Sequence, residues 1–148
     1  MSEHKTTVRW QRTSADFGYE TYNRDHDWHF ADGLSLPASA APEYLGAADR
    51  VDPEQAFVAA VSSCHMLTFL ALAAKRRFVI DAYEDDAVGF LEKNADGRIA
   101  MTRVELHPRI RFADGAGPDG EALASLHEKA HKYCFIANSV TADIQVVA

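Results

Sequence analysis

Residues 52–77 read DPEQAFVAAVSSCHMLTFLALAAKRR, and the reading of this stretch decides the fold. Asp52 is an N-cap candidate, Pro53 suits a first helical position that needs no N–H, and Gln55 completes a capping box. No charged residue falls between Ala56 and Ala74, a run of 19 residues. Lys75, Arg76 and Arg77 then complement the negative end of a helix dipole. The pattern predicts one helix to about Lys75, apolar on nearly every side. Its length would suit a membrane span, but Ser62, Ser63, His65 and Thr68 interrupt it, so it reads as a core helix. One small domain has little interior in which to bury all sides of such a helix. A partner subunit is expected to supply the missing cover.

The flanks set the class. The chain has 148 residues, 47% apolar and 25% charged, which suits a single domain over 1–148. A net charge of −7 argues against nucleic acid, because phosphate binding needs a basic footprint. The polar start Met1-Ser2-Glu3-His4-Lys5 has no export-signal pattern. Two cysteines in such a chain are expected to be reduced cytoplasmic thiols rather than a disulfide framework. Upstream of the helix, Thr6–Trp10 and Tyr22–Phe30 alternate like strands, Leu34–Leu36 follows an Asp32-Gly33 turn, and Pro37–Arg50 reads as loop. Downstream, Phe78–Lys93 and Arg98–Phe112 flank the turn Asn94-Ala95-Asp96-Gly97, a hairpin signal. Pro118 opens a second helix to about Tyr133, with Leu123, Leu126 and Ala130 as its apolar stripe, and Thr141–Val147 is a last strand. The order β-β-β-α-β-β-α-β predicts an α+β fold, antiparallel sheets packed around the long helix.

Several constellations could carry chemistry. His127-Glu128-Lys129-Ala130-His131 matches the HExxH pattern of a zinc site. A catalytic zinc needs a third protein ligand, and the positions where the extended motif wants glycine and histidine hold Cys134 and Ala137. It reads as a polar helix face, with a His127, His131 and Cys134 metal site as the alternative. His26 and His29, three apart on a strand, point to opposite faces and do not share a metal easily. Cys64 and Cys134 are not spaced as C-x-x-C.

Asp52-Pro53-Glu54-Gln55-Ala56-Phe57, with Ala59-Ala60 and Ser62-Ser63-Cys64-His65-Met66, resembles the OsmC/Ohr family of thiol peroxidases, its OsmC-like branch above all. Glu54 and Cys64 keep the family's ten-residue spacing, Cys134 falls about seventy residues later, and Arg24 in Asn23-Arg24-Asp25-His26 matches the family arginine. The chain departs from the pattern at His65, where phenylalanine is common, and at Phe135, where proline is common. The resemblance implies an intertwined homodimer with no metal and no cofactor, and a catalytic set of Cys64, Cys134, Arg24 and Glu54. It implies reduction of organic hydroperoxides, with hydrogen peroxide as a further candidate substrate, in oxidative-stress defence. Cys64 would form the sulfenic acid, Cys134 would resolve it to a disulfide, and a thiol or dithiol reductant would recycle it. Neither nucleic acid nor membrane is an expected partner.

That chemistry makes sense for these residue types. Arginine favours an ionised sulfur and can hydrogen-bond a peroxide oxygen, and a glutamate can hold the guanidinium as a bidentate pair. Phe57, Met66, Leu67 and Phe69 read equally well as an apolar channel or as core. Ten residues put Glu54 about 15 Å along the helix from Cys64 and some 80° around it, so the two are expected to meet across a two-fold axis rather than within one chain. A non-enzymatic stress or ligand-binding protein of the same fold is the competing reading.

Overall fold

The computed structural model describes residues 1–148. The chain forms two compact units, Met1–Ala56 and Phe57–Ala148. In the first, β1 (Thr7–Arg9), β2 (His26–His29) and β3 (Ser35–Ala38) make an antiparallel sheet in that order. Trp28 stands opposite Val8 on one side and Leu36 on the other. Strand β2 is shorter than the Tyr22–Phe30 run expected, because residues 16–22 close into a turn. The Thr21 hydroxyl donates to Asp16 Oδ1 at 2.8 Å and accepts from the Gly18 amide at 3.2 Å, while the Tyr22 amide reaches the Gly18 carbonyl at 3.0 Å. Trp10, Phe17 and Tyr22 then gather into an aromatic cluster, its tightest pair of ring centroids 5.0 Å apart.

The irregular stretch after β3 is tied down by buried polar groups. Ser39, fully buried, donates to Asp25 Oδ1 and accepts from the Ala47 amide, both at 3.0 Å. Arg50 lies 3.4 Å from the other Asp25 oxygen and donates to the His26 carbonyl. Only glycine fits at position 46, where a Cβ would lie 1.6 Å from the Ala40 carbonyl oxygen. The capping box forms as read: the Gln55 amide donates to Asp52 Oδ1 at 2.8 Å and the Asp52 amide to Gln55 Oε1 at 3.1 Å. Helix α1 spans Pro53–Lys75.

The second unit holds most of α1, then β4 (Ile80–Asp85), β5 (Val88–Lys93), β6 (Ile99–Leu106), β7 (Pro108–Phe112), α2 (Gly120–Tyr133) and β8 (Asp143–Val146). The hairpin expected over Phe78–Phe112 is present, but each arm divides between two sheets, β4-β7 and β5-β6-β8. The division falls where Asp85 Oδ1 accepts the His107 amide at 2.6 Å and Pro108 offers no ladder donor. Asn94 shapes the turn, its Oδ1 accepting from the Asp96 and Arg98 amides. Helix α2 starts two residues later than expected, because Asp119 rather than Pro118 caps it by accepting from the Ala122 amide at 2.8 Å. The antiparallel expectation needs one correction. Strand β8 returns after α2 and pairs parallel to β6, since a crossover through a helix brings the chain back in the same direction.

Helix α1 packs by one face. Val61, His65, Phe69 and Ala73, each four residues after the last, are its buried residues. Val61 joins Val104, Leu106 and Ile144 in one cluster, and Phe69 and Ala73 join Leu126 and Ala130 in a second. His65 is the polar residue between them. Close approach of α1 to the sheet depends on Gly89, where a Cβ would stand 2.4 Å from both Val58 Cγ2 and Met101 Cε. Met101 can swing away, whereas Val58 is β-branched and set on a helix. Gly89→Ala should therefore cost about 1–3 kcal/mol, read as a lower urea midpoint. An unchanged midpoint would show that α1 does not pack against β5 this closely.

Candidate active site

Two sulfurs meet where α2 ends. Cys64 sits half-buried in the middle of α1, and Cys134, buried, is the C-cap residue of α2. Both are free thiols. After Cys134 the chain folds back through a short 3₁₀ turn, Ala137–Ser139. The Ala137 amide donates to Cys134 Sγ at 3.4 Å and the Asn138 amide to the Cys134 carbonyl at 3.0 Å. Burial works against the thiolate at Cys64. The polar groups around it favour the ionised sulfur more strongly, namely the Ile136 amide, the Cys134 thiol, the Phe135 amide and the Thr68 hydroxyl (which itself donates to the Cys64 carbonyl at 2.8 Å), and the thiol pKa is lowered. At Cys134 burial prevails and the adjoining Cys64 adds to it, so that pKa is raised. The two neighbouring sulfurs are thus shifted in opposite directions, Cys64 toward easier ionisation and Cys134 away from it.

His65, next in sequence to Cys64, points into the core and is 1% exposed. Its Nε2 lies 3.1 Å from Nδ1 of His127 on α2, and the two rings lie end to end and nearly coplanar, centroids 5.4 Å apart and planes 8° apart. Phe69 closes over His127 with ring centroids 4.6 Å apart. The HExxH pattern therefore does not act as one unit. His127 is buried and paired with His65, while His131 is exposed. No three His, Cys, Asp or Glu side chains stand where they could hold a metal ion. On β2, His26 has both ring nitrogens in use, Nδ1 at 2.7 Å from the Arg24 carbonyl and Nε2 accepting from Trp28 Nε1 at 3.1 Å.

Arg24 and Glu54 belong to the first unit and line one cleft of about 500 Å³ with Trp10, Phe17, Tyr22 and Tyr44. The Arg24 guanidinium lies 3.6 Å from the centre of the Tyr22 ring, and it donates to the Tyr22 and Tyr19 carbonyls at 2.8 and 2.6 Å. Those carbonyls, rather than the bidentate Glu54 contact expected, fix it within the chain. The other nearby arginines are committed elsewhere, Arg12 to the Ser14 and Ala15 carbonyls and Arg50 to Asp25 and Asp27. Of the four apolar residues left open between channel and core, Phe69 is fully buried core and Phe57 packs against the first cluster, while Leu67 is 59% exposed.

Sequence reasoning missed the Phe135 and Ile136 amides, since backbone donors leave no mark in side-chain identity. It also missed the histidine pair. The available signal was that His65 falls in the four-residue apolar repeat of α1 and His127 beside Leu126 in the stripe of α2. Burial first, then the charges of His127 and His131, push the His65 pKa down to about 4 from an ordinary 6.5, with Asp85 opposing. The unfolded chain takes up that proton near pH 6.5 and the folded protein only near 4, so stability is full above 6.5 and falls as pH drops through the window. The loss should approach about 3 kcal/mol, and urea midpoints at pH 7 and 4.5 measure it. The window should shrink in His65→Phe. Identical pH dependence in that variant would contradict the assignment.

The family model described as OsmC-like protein matches residues 46–148. A solved OsmC-like protein of unknown function from Vibrio cholerae is 44% identical, with 99% of each chain covered and a TM-score of 0.96. Two more distant structures share the fold. An organic hydroperoxide resistance protein OsmC from Legionella pneumophila is 19% identical, covering 99% of this chain and 97% of its own, with a TM-score of 0.71. The organic hydroperoxide resistance protein of Bacillus subtilis is 22% identical over 98% and 96%, also at 0.71. No curated protein matches the chain. The family match over more than two-thirds of the sequence and the Vibrio relative together show that this chain belongs to the OsmC-like family.

Proposed function

We propose that the protein is a two-cysteine peroxidase that reduces organic hydroperoxides. The observation that carries the reading is the meeting of Cys64 and Cys134 with opposite pKa shifts at the end of α2. The Cys64 thiolate attacks a peroxide oxygen, the O–O bond breaks, and the alkoxide leaves as an alcohol after taking a proton. The Cys64 sulfenic acid condenses with the Cys134 thiol, releasing water and leaving a disulfide. A dithiol, or two monothiols, reduces that disulfide again, which suits a reducing compartment such as the cytoplasm. Arg24 and Glu54 are assigned to activation of Cys64 and to stabilising charge at the departing oxygen. Support for an apolar substrate comes from the aromatic walls that share a cleft with them and from the hydroperoxide-resistance names of the Legionella and Bacillus proteins.

The reading includes a homodimer. Ala59, Ala60, Ser63, Leu67, Ala71 and Ala74 of α1 are exposed, although the helix averages a hydropathy of 1.8 over its most apolar 18 residues. A second copy of α1 fits a face of such small side chains at close range. Antiparallel about a two-fold axis, it would bring Glu54 of one chain to the partner's Cys64.

Two experiments test this. One equivalent of cumene hydroperoxide should remove two hydrogens from the intact mass of the parent, whereas Cys64→Ser should stay unchanged and Cys134→Ser should stop at the sulfenic acid. A parent whose mass does not change would refute the peroxidase reading. For the composite site, exchanging Cys64→Ser chains with Glu54→Ala chains should restore about one intact site per heterodimer. Mixed chains as inactive as their parents, despite proven exchange, would confine Glu54 to its own chain.

A further inference from the structure

His65 and His127 form the one hydrogen bond between side-chain nitrogen or oxygen atoms that joins α1 to α2. Its placement relates it to both cysteines. His65 directly follows Cys64, and His127 lies seven residues before Cys134, about 10 Å along α2 at 1.5 Å per residue. The pair stands in the α1 stripe between Val61 and Phe69, and the stripe residues on either side of it pack through apolar contacts that have no direction. Apolar contact allows α2 to slide or turn on α1, and an in-plane hydrogen bond between two nearly coplanar rings does not.

The protons of the pair can be placed. His65 Nδ1 is buried with no partner. A buried orphan N–H is rarer in folded proteins than an orphan acceptor, so Nδ1 carries the bare lone pair, and Nε2–H of His65 donates to the lone pair on His127 Nδ1. Around this pair, Phe69 covers His127. The charged or titratable neighbours are His131 on α2 and Asp85 on β4, with Tyr83 of β4 packed on Phe69. Asp85 is engaged by the Ser62 hydroxyl and the His107 amide. The Tyr83 hydroxyl is itself buried without a partner.

We propose that the His65–His127 hydrogen bond is a positioning device. It holds the C-terminal end of α2 in register on α1, so that the Cys134 thiol and the Phe135 and Ile136 amides stay beside Cys64. The proposal rests on the two-thiol reading of Cys64 and Cys134, and it makes the histidine after Cys64 part of the machinery rather than a neutral departure.

The assigned tautomer dictates the conservative variants. Asn at 127 keeps an acceptor near the Nδ1 position, and Gln at 65 keeps a donor near Nε2; neither titrates. Leu at 127 and Phe at 65 keep bulk and lose the hydrogen bond. Two readouts need no hydroperoxide: the pH profile of Cys64 alkylation, and the rate at which diamide, itself reduced to the hydrazine, closes the Cys64–Cys134 disulfide. His127→Leu should move the alkylation profile to higher pH and slow closure about tenfold or more, and His127→Asn should restore both. Unchanged profile and closure in His127→Leu would overturn the proposal, as would equal damage in His127→Leu and His127→Asn, which would assign the effect to lost ring packing. If His127→Leu loses its helical circular dichroism, His65→Phe against His65→Gln decides by the same criteria. Failure of cumene hydroperoxide to form the disulfide in a parent that passes the diamide comparison would refute the peroxidase reading and leave the positioning role standing.

Discussion

The candidate site depends on the way α1 lends a single four-residue stripe to two different neighbours. Val61 faces the cluster built from β6 and β8, Phe69 and Ala73 face α2, and each large apolar residue buried there contributes about 1.5–3 kcal/mol. That packing carries Cys64 on a rigid element and sets α2 beside it, so the residues just past the end of α2 arrive at the sulfur. The backbone amides of Phe135 and Ile136 are among the groups that favour the ionised Cys64 sulfur. Their position is inherited from where α2 stops, and Cys134 at the cap marks that point.

The two histidines show how the same stripe takes in a polar group. An imidazole pair buried between two apolar clusters is tolerated because one ring accepts the hydrogen bond the other donates, and because both pKa values fall, which keeps the rings neutral. Neutrality matters, since a buried imidazolium would need a counter-charge and the nearest carboxylate, Asp85, is already hydrogen-bonded to Ser62 and His107.

Much of this was legible in the sequence. The capping box at Asp52 and Gln55, the uncharged run after it and the cationic exit fix α1 at both ends, because caps and dipoles act within a few residues. Cys64 and Cys134 were singled out only through the family resemblance that their spacing from Glu54 and from each other carries. What could not be read was of longer range. The bend that divides the hairpin between two sheets depends on Asp85 reaching His107 across 22 residues, and the parallel pairing of β8 depends on where α2 delivers the chain. Arg24 was expected to pair with Glu54, whereas within the chain its guanidinium is held by the Tyr19 and Tyr22 carbonyls, backbone acceptors that side-chain identity does not reveal.

The central claim is that the end of α2 readies one sulfur and not the other. The direct measurement is a pH titration of thiolate ultraviolet absorbance on the reduced protein, with Cys64→Ser and Cys134→Ser run alongside to assign the steps. The account predicts two separated titrations, Cys64 below the ordinary cysteine value of about 8.5 and Cys134 above it. A Cys64 step at or above the ordinary value would contradict it.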